Sequence, residues 1–207
     1  MNQTMQKLKD DIRKELLKSA KELFFRKGFQ KTSMREIAEM AKIGLGNIYN
    51  YFSGKDDLFC SIVYPVTHAF EWMLEKHHGH YGADVMEILS EVYLREAVDE
   101  YIVLIRRYRE LLILLLFRAQ GSSLANFRES FTDRSTELVK EWFSEMKCRY
   151  PVLNVTFSDF FIHLHSVWMF TLLEEIIMHK IADQEIEQIV AEYIRFEITG
   201  WRDILKI

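Results

Sequence analysis

Residues 33–52 read SMREIAEMAKIGLGNIYNYF, and this stretch decides the fold. Ser33 stands three positions before Glu36, the spacing of a capping box, in which the serine hydroxyl and the glutamate carboxylate each accept from the other residue's amide. The predicted helix buries a short apolar stripe, Gly44 marks a tight turn, and a second short helix is expected over about residues 45–52. Two short helices joined by such a turn form a helix-turn-helix, although spacing alone fits an ordinary helical hairpin in an all-α core equally well.

The rest of the chain also shows helical spacing of its apolar residues. An upstream stripe ends at Gly28, which can supply the left-handed residue that closes a helix. Two prolines and eight glycines in 207 residues argue against a many-turned β sandwich or barrel. The pattern predicts further helices over residues 55–77, 83–107, 109–119, 123–148, 158–180 and 184–203.

These helices predict an all-α protein with two functional parts. We expect a three-helix helix-turn-helix domain over residues 1–54 and a helical domain over residues 55–207. The helix that begins near residue 55 should join them without a flexible tether, and Pro65 should kink it because proline removes one amide donor.

The charge of the chain is divided between these two parts. Residues 1–60 hold 12 basic and 8 acidic side chains, whereas the remainder holds 15 basic and 23 acidic ones. A basic N-terminal part followed by an acidic remainder is typical of a protein whose N-terminal part binds a polyanion and whose remainder has another function. A chance fluctuation of charge on a solvated surface gives the same division.

Composition excludes several classes of protein. Hydrophobic residues at 49% and charged residues at 28% exclude disorder as the main state. Cys60 and Cys148 are far apart and form no CxxC, so neither a disulfide scaffold nor a thiolate zinc site is expected. The polar N-terminus lacks the apolar core of a signal peptide, and the longest apolar run, residues 111–117, is too short to cross a bilayer. We therefore expect a soluble, cytoplasmic protein with no membrane partner.

Residues 10–60 resemble the DNA-binding domain of the tetracycline-repressor (TetR) family. The resemblance is carried by Phe29, Thr32-Ser33, Glu36-Ile37-Ala38, Ala41, Ile43-Gly44, Gly46-Asn47-Ile48-Tyr49-Asn50-Tyr51-Phe52, Lys55 and Leu58. Later residues resemble the family only in helix count and size and in the closing segment 196–201. The resemblance implies a homodimeric, all-helical transcription regulator whose N-terminal helices bind double-stranded operator DNA and whose C-terminal helices hold a small-molecule effector site and the dimer interface.

The resemblance also implies which residues contact DNA. They are Thr32, Ser33, Leu45, Gly46, Asn47, Tyr49, Asn50, Tyr51 and Lys55. Asparagine amides suit bidentate contact with adenine, tyrosine hydroxyls can donate to phosphate, and helix starts favour a phosphate oxygen. The sequence departs from the family at Lys42, where a small residue or glycine is frequent, and at Leu45, which cannot pair with phosphate. Either Leu45 contacts a thymine methyl, or direct readout is weaker and Lys42, Lys31 and Lys9 supply more of the attraction to phosphate. Lys42 is therefore included among the expected DNA contacts.

Residues 64–201 predict an aromatic-lined effector site, because they contain 21 of the 28 aromatic residues. The candidate contacts are Tyr64, His68, Trp72, Tyr93, Tyr101, Phe117, Phe127, His163 and Trp168, with Phe131 as a further one. Ordinary core packing is the alternative for each of them. The cluster at residues 75–80, with one glutamate and three histidines, could bind a divalent metal, but we interpret it as an exposed polar turn and expect neither a metal nor a cofactor.

The last two predicted helices are the expected dimer interface. Each alone exposes more apolar surface than a monomer tolerates, and pairing both across a two-fold axis would build a four-helix interface. Their apolar residues include Phe160, Phe161, Leu164, Val167, Trp168, Phe170 and Leu172 in one, and Ile186, Ile189, Val190, Tyr193 and Phe196 in the other.

The expected function is therefore a repressor that a small, largely apolar or aromatic effector releases from its operator. A helical enzyme and a protein-binding adaptor are the alternatives. The sequence contains no phosphate loop, dinucleotide fingerprint, zincin motif or elbow serine, so we expect no enzyme and assign no catalytic residue.

Overall fold

The computed structural model describes residues 2–80 and 82–207, with side chains from residue 6 onward. Within these residues every regular element is a helix and no strand occurs, which confirms the all-α fold. The helices are α1 (Asn2–Lys27), α2 (Met34–Ala41), α3 (Leu45–Ile48), α4 (Lys55–His78), α5 (Val85–Ile88), α6 (Glu91–Phe117), α7 (Phe127–Arg149), α8 (Asp159–Met178) and α9 (Asp183–Leu205).

Local signals place the ends of the first helices where the sequence predicts them. Helix α1 ends at Lys27 because Gly28 takes φ = 77° and its amide donates to the Phe24 carbonyl at 2.8 Å. The capping box of α2 is present: the Glu36 amide donates to Ser33 Oγ at 3.3 Å, and the Ser33 amide donates to Glu36 Oε2 at 2.9 Å. These contacts confirm the predicted start of the helix-turn-helix.

Other helix boundaries differ from the prediction. Helix α3 ends at Ile48, and residues 49–51 continue as turns, so the expected helix to residue 52 is too long. Helix α6 runs unbroken through residues 107–109, where two helices were predicted, because no glycine or proline interrupts it. The predicted helix 83–107 is instead divided near Ser90, whose hydroxyl accepts from the Tyr93 amide at 3.1 Å and caps the start of α6.

The chain forms two compact units. Unit 1 contains the chain up to Thr67 together with Glu110–Phe127, and unit 2 contains His68–Arg109 and Arg128–Ile207. Helices α4 and α6 each contribute residues to both units. The functional division between residues 54 and 55 is a separate prediction and stays one.

Three aromatic rings form the centre of unit 1. Phe24, Phe29 and Phe59 lie with ring centroids 5.2–5.7 Å apart, and each is at most 5% exposed. Ile37 of α2 and Ile48 of α3 are fully buried in the same unit. Burying large apolar side chains is the main stabilising contribution to folding, so this core holds the short helices in a defined place.

Unit 2 has its own aromatic core, in which α8 takes part. Phe70, Phe131 and Phe170 lie with ring centroids 5.3–5.7 Å apart. By length and composition alone, α8 is long and apolar enough to cross a membrane. The same test is passed by a core helix, and α8 buries one face at helical spacing, at Ile162, Ser166, Phe170, Leu173 and Ile176.

Candidate nucleic-acid interface and cavity

The helix-turn-helix buries one face and exposes the other. Ile37, Ala38 and Ile48 face the core, and opposite them a set of side chains lies at the surface. This exposed set consists of Lys42, Leu45, Gly46, Asn47, Tyr49 and Asn50. Tyr49 is 53% exposed and Leu45 is 37% exposed. The surface therefore carries amides, a phenol and a cation, which are groups that can meet base edges and phosphates.

Two amides of this surface bind each other. Asn50 Nδ2 donates to Asn47 Oδ1 at 2.9 Å. This bond orients both side chains while each keeps further hydrogen-bonding capacity, since an amide group has two donors and two acceptor positions. The pair is thus organised before any partner arrives.

Lys42 ends α2 in the left-handed conformation. Its φ is 55°, and its amide donates to the carbonyls of Ala38 and Glu39. Left-handed backbone is costly for residues other than glycine, which explains physically why a small residue or glycine suits this position. Lys42 adopts this conformation despite its free-energy cost, and its side chain places a positive charge on the exposed face.

Thr32 and Lys55, which were expected to contact DNA, instead bond to backbone carbonyls within the chain. Thr32 is 2% exposed and its hydroxyl donates to the Gly28 carbonyl at 2.9 Å. Lys55 Nζ donates to the carbonyls of Phe29 and Thr32 at 2.9 and 2.8 Å and lies 4.3 Å from the centroid of the Phe29 ring. Burial lowers the pKa of Lys55. Both side chains therefore hold the loop before α2 in place.

Ser33 and Tyr51 take intermediate positions. Ser33 is exposed, and its hydroxyl belongs to the capping box with Glu36. An ion pair with Lys27 and then the Ser33 hydrogen bonds lower the pKa of Glu36 from 4.5 to about 2. Tyr51 is half-buried, so only part of its ring is available to a partner.

Unit 2 contains a cavity of about 140 Å³. Its walls come from α4 through α9, and six aromatic rings line it. These rings are Phe70, Tyr101, Phe131, Trp142, Phe143 and Trp201. Polar groups interrupt this surface at three histidines and at two serines, Ser135 and Ser166, whose hydroxyls lie 3.0 Å apart.

One histidine of the cavity belongs to a buried network. His77 Nε2 lies 2.6 Å from Glu100 Oε2, and its Nδ1 contacts the Tyr93 hydroxyl. Lys76 also pairs with Glu100. Burial acts to raise the pKa of Glu100, but the hydrogen bonds from His77 and Lys76 outweigh it and lower the pKa. This carboxylate is therefore ionised and paired.

The next histidine has a different environment. The His78 ring lies 5.1 Å from the Trp142 ring, edge to face, and 6.3 Å from the His77 ring. Burial, and then the charges of His77 and His165, lower the pKa of His78 from 6.5 to about 3. His78 is accordingly a neutral imidazole in the cavity wall at neutral pH.

The third histidine meets a buried carboxylate. His165 Nε2 contacts Glu197 Oε2 and also lies 3.0 Å from the indole nitrogen of Trp201. Glu197 is 8% exposed, and its Oε1 has no hydrogen-bond partner among the described residues. A buried carboxylate oxygen without a partner is unusual and costs free energy.

The structure places most of the predicted effector residues away from this cavity. Of the nine, only Tyr101 lines it, together with the further candidate Phe131. Tyr93 is 9% exposed and reaches the cavity only through His77. The remaining seven do not line it: Tyr64, His68, Trp72, Phe117, Phe127, His163 and Trp168. Helical spacing identifies an apolar helix but not which of its faces turns toward a void.

The sequence interpretation missed the polar residues of the cavity. His165, Ser135 and Ser166 stand in apolar or unremarkable surroundings in the sequence, and they meet His78 and Trp201 only in three dimensions. The interpretation of residues 75–80 as an exposed polar turn is wrong for His77, which is 9% exposed and fully engaged.

Comparison with known proteins agrees with these features. Residues 16–62 match the model of the family described as bacterial regulatory proteins, tetR family. An uncharacterized HTH-type transcriptional regulator of Bacillus subtilis, YfiR, is 25% identical over 169 residues, which cover 76% of this chain and 78% of the relative.

Two solved structures share the fold. A putative TetR-family transcriptional regulator from Syntrophomonas wolfei aligns with a TM-score of 0.63 at 19% identity and covers 93% of this chain and 97% of its own. NalD of Pseudomonas aeruginosa, the secondary repressor of the MexAB-OprM multidrug efflux pump, aligns with a TM-score of 0.62 at 21% identity and covers 92% and 96%. The exposed helix-turn-helix face and the family match over it lead to one conclusion: residues 16–62 form a helix-turn-helix domain similar to that of the tetR family of bacterial regulatory proteins, and the chain shares its all-helical fold with solved structures of such regulators.

Proposed function

We propose that the protein is a homodimeric, cytoplasmic repressor, and that a small, largely apolar or aromatic effector releases it from double-stranded operator DNA. Residues 1–54 bind DNA, and residues 55–207 bind the effector and form the dimer. The observation that carries the proposal is the exposed face of the helix-turn-helix, which offers polar groups while its opposite face is fully buried. The similarity in fold to NalD, described as a repressor, supports the direction of control.

The proposed DNA contacts are the exposed residues of this face and of the adjoining helix start. They are Ser33, Lys42, Leu45, Gly46, Asn47, Tyr49 and Asn50, with Tyr51 at the edge. The bonded amides of Asn47 and Asn50 read base edges, and Lys42 contributes attraction to phosphate. Thr32 and Lys55 support the interface from within.

The proposed dimer pairs the last two helices of each copy. Phe160 on α8 is 71% exposed and Phe196 on α9 is 68% exposed. Ile186 and Val190, which the sequence also placed on the interface stripe, are fully buried within the chain and hold α9 in its own unit instead. A dimer covers the exposed rings and allows two recognition elements to enter successive major grooves, about 34–36 Å apart.

The effector acts by favouring one conformation over another. A ligand in the unit 2 cavity releases DNA only if it binds more tightly to a form whose two recognition elements are wrongly spaced. Helices α4 and α6 carry residues of both units, so a change at the cavity can be transmitted through continuous helix.

Selection from a random pool of duplex DNA tests the DNA-binding proposal. The purified chain should enrich a sequence motif with two-fold symmetry and bind it with strong salt dependence. Asn47→Ala should weaken binding to the enriched duplex by about tenfold to a hundredfold, because a good base contact contributes about 1–3 kcal/mol. Tyr49→Ala should also weaken it, whereas Tyr64→Ala, which removes an exposed tyrosine of α4 instead, should not. Unchanged binding by the Asn47 and Tyr49 variants, with unchanged melting temperatures, would refute the interface.

Sedimentation tests the dimer. The wild-type chain should be a dimer at micromolar concentration, and Phe196→Glu should shift it toward monomer, because a charge in a dry interface is costly. Val152→Glu is the matched control, since Val152 is 81% exposed and lies outside α8 and α9. A monomeric wild type contradicts the proposal.

A further inference from the structure

The cavity of unit 2 has a size that limits its ligand. An apolar cavity of roughly 150 Å³ in another protein binds benzene. At about 140 Å³, this cavity accommodates one ring with a short substituent. Its six aromatic side chains present ring faces and edges against which such a ring packs.

The charge of the cavity wall limits the ligand further. Among the residues that the structure describes, no lysine, arginine, aspartate or glutamate lines the cavity. The two wall histidines His77 and His165 each contact a carboxylate of the chain already. An ionic ligand would therefore lose its hydration without gaining a partner of opposite charge, which costs far more free energy than burying a neutral polar group. The wall consequently favours a ligand without net charge.

Most polar side chains of the wall already have hydrogen-bond partners within the chain. The indole nitrogen of Trp142 donates to the Ala83 carbonyl at 3.0 Å. The hydroxyls of Ser135 and Ser166 bond to each other at 3.0 Å. The other bonded groups of the wall are His77, His165 and Trp201. These side chains are satisfied by the fold itself and do not require a ligand.

Two polar side chains of the wall have no hydrogen bond within the described part of the chain. They are the imidazole of His78 and the hydroxyl of Tyr101. Both residues are half-buried, and none of their polar side-chain atoms is enclosed, so a small molecule in the cavity can reach them. They follow directly after His77 and Glu100, whose side chains meet at 2.6 Å where α4 and α6 pack together.

The imidazole is the better acceptor of these two groups. Burial lowers the pKa of His78 to about 3, so the ring is uncharged at neutral pH and keeps one nitrogen without a proton. That nitrogen is a stronger base than the oxygen of a phenol, and it therefore accepts a hydroxyl proton more strongly. The His78 ring also lies edge to face against Trp142, 5.1 Å between centroids, so a ligand bonded here lies beside the aromatic wall.

We infer that the cavity binds an uncharged phenol of one ring, whose hydroxyl donates a hydrogen bond to the unprotonated ring nitrogen of His78. This inference rests on the proposed function, because it names the chemical class of the effector. The aromatic wall packs against the ring of the ligand. His78 determines specificity, because it distinguishes a ring that carries a hydroxyl from one that does not.

Four one-ring probes test the preference of the cavity. The full-length chain is titrated at pH 7.5 with phenol and toluene, which are uncharged, with benzylamine, a cation, and with benzoate, an anion. Binding is followed by calorimetry and by tryptophan fluorescence, since Trp142 and Trp201 line the cavity. Phenol should bind at least as tightly as toluene, because the bond to His78 offsets the cost of taking a hydroxyl out of water. Each charged probe should bind at least about tenfold more weakly than phenol, because neither finds a counter-charge in the wall.

Three outcomes of this titration contradict the inference. They are phenol binding more weakly than toluene, a charged probe binding as tightly as phenol, and no binding of any probe.

Two matched variants test the role of His78. His78→Phe keeps an aromatic ring and removes the acceptor, so the affinity for phenol relative to toluene should fall by about fivefold to a hundredfold, the range for a buried hydroxyl that loses its partner. Tyr101→Phe removes the other unbonded polar group of the wall, so it should leave this ratio within about twofold of the wild-type value. A folded His78→Phe chain that keeps the ratio, or a folded Tyr101→Phe chain that loses it, overturns the assignment. If neither variant folds, the order of the four probes on the wild type still decides.

DNA binding separates the two proposals. The chain saturated with phenol is tested against the duplex enriched from the random pool. Phenol binding without release of DNA supports the ligand class and refutes effector control. Specific DNA binding by a chain that binds no probe refutes the ligand class and leaves the regulator function standing.

Discussion

The partly buried imidazole of His78 should make the folded protein less stable in acid. Its pKa is lowered from 6.5 to about 3 in the folded chain, chiefly by burial. Between these values the unfolded chain binds a proton that the folded chain does not. The stabilising effect of a neutral His78 is therefore complete above pH 6.5 and is lost as the pH falls toward 3.

The expected loss follows from one pKa unit being worth about 1.36 kcal/mol. At pH 5 the solution is roughly 1.5 pH units below the unfolded-state pKa of 6.5, and over that interval only the unfolded chain binds the proton. Acidification from pH 8 to pH 5 should therefore lower the free energy of unfolding by about 2 kcal/mol through His78. Urea unfolding at both pH values, at one fixed protein concentration, measures this loss. His78→Phe keeps a ring against Trp142 and cannot titrate, so its loss over the same pH range should be about 2 kcal/mol smaller than that of the wild type.

A neighbouring histidine provides the control. The His80 side chain is 74% exposed, so His80→Gln should lose as much stability on acidification as the wild type. If His78→Phe folds and loses stability with pH as steeply as the wild type, the buried-neutral assignment of His78 is wrong.

Three further predictions concern the helix-turn-helix. Lys42→Gly should raise the free energy of unfolding, measured with urea, by about 0.5–1 kcal/mol, because glycine adopts the left-handed backbone at this position without strain. The same variant should reduce the slope of log DNA affinity against log salt concentration by about one, because it removes one phosphate contact. Gly28→Ala should lower the free energy of unfolding by about 1 kcal/mol because φ there is 77°, whereas Gly44→Ala, with open space around its Cβ and an ordinary φ of −59°, should change it little. Glu36→Gln should lower the melting temperature at pH 7. The difference in melting temperature between wild type and variant should be largest above pH 4.5 and should disappear as the pH falls toward 2, because only the ionised carboxylate stabilises the folded chain. An unchanged melting temperature for the Glu36 variant would contradict the role given to its capping box and ion pair.

The beginning of the chain was predictable because its signals are local. The Ser33–Glu36 capping box, the left-handed Gly28 and the apolar stripes each act within one or two helical turns, and the structure has them where they were expected. The exposure of Asn47 and Tyr49 also followed, since Ile48 between them must face the core. Helix ends without a strong local signal, such as those near residues 48 and 107, were predicted less well because packing decides them.

The sites that depend on distant parts of the chain could not be predicted in the same way. Lys55 reads as a phosphate contact beside the helix start, but the fold brings it to the carbonyls of residues 29 and 32, more than 20 positions earlier. The aromatic residues of α4 to α9 look alike in the sequence, and only packing separates Tyr101 and Trp201, which line the cavity, from Tyr64 and Trp168, which do not.

The amino-acid sequence by itself determined the helical fold, the helix-turn-helix and its exposed polar face, because capping, turns and apolar periodicity are properties of neighbouring residues. The tertiary structure alone decided where the cavity lies and which residues line it. His165 and Glu197 are 32 positions apart on different helices, and the contact of His165 Nε2 with Glu197 Oε2 forms because α8 and α9 both belong to unit 2. Burial and pairing of charge are consequences of that packing, and no local pattern encodes them.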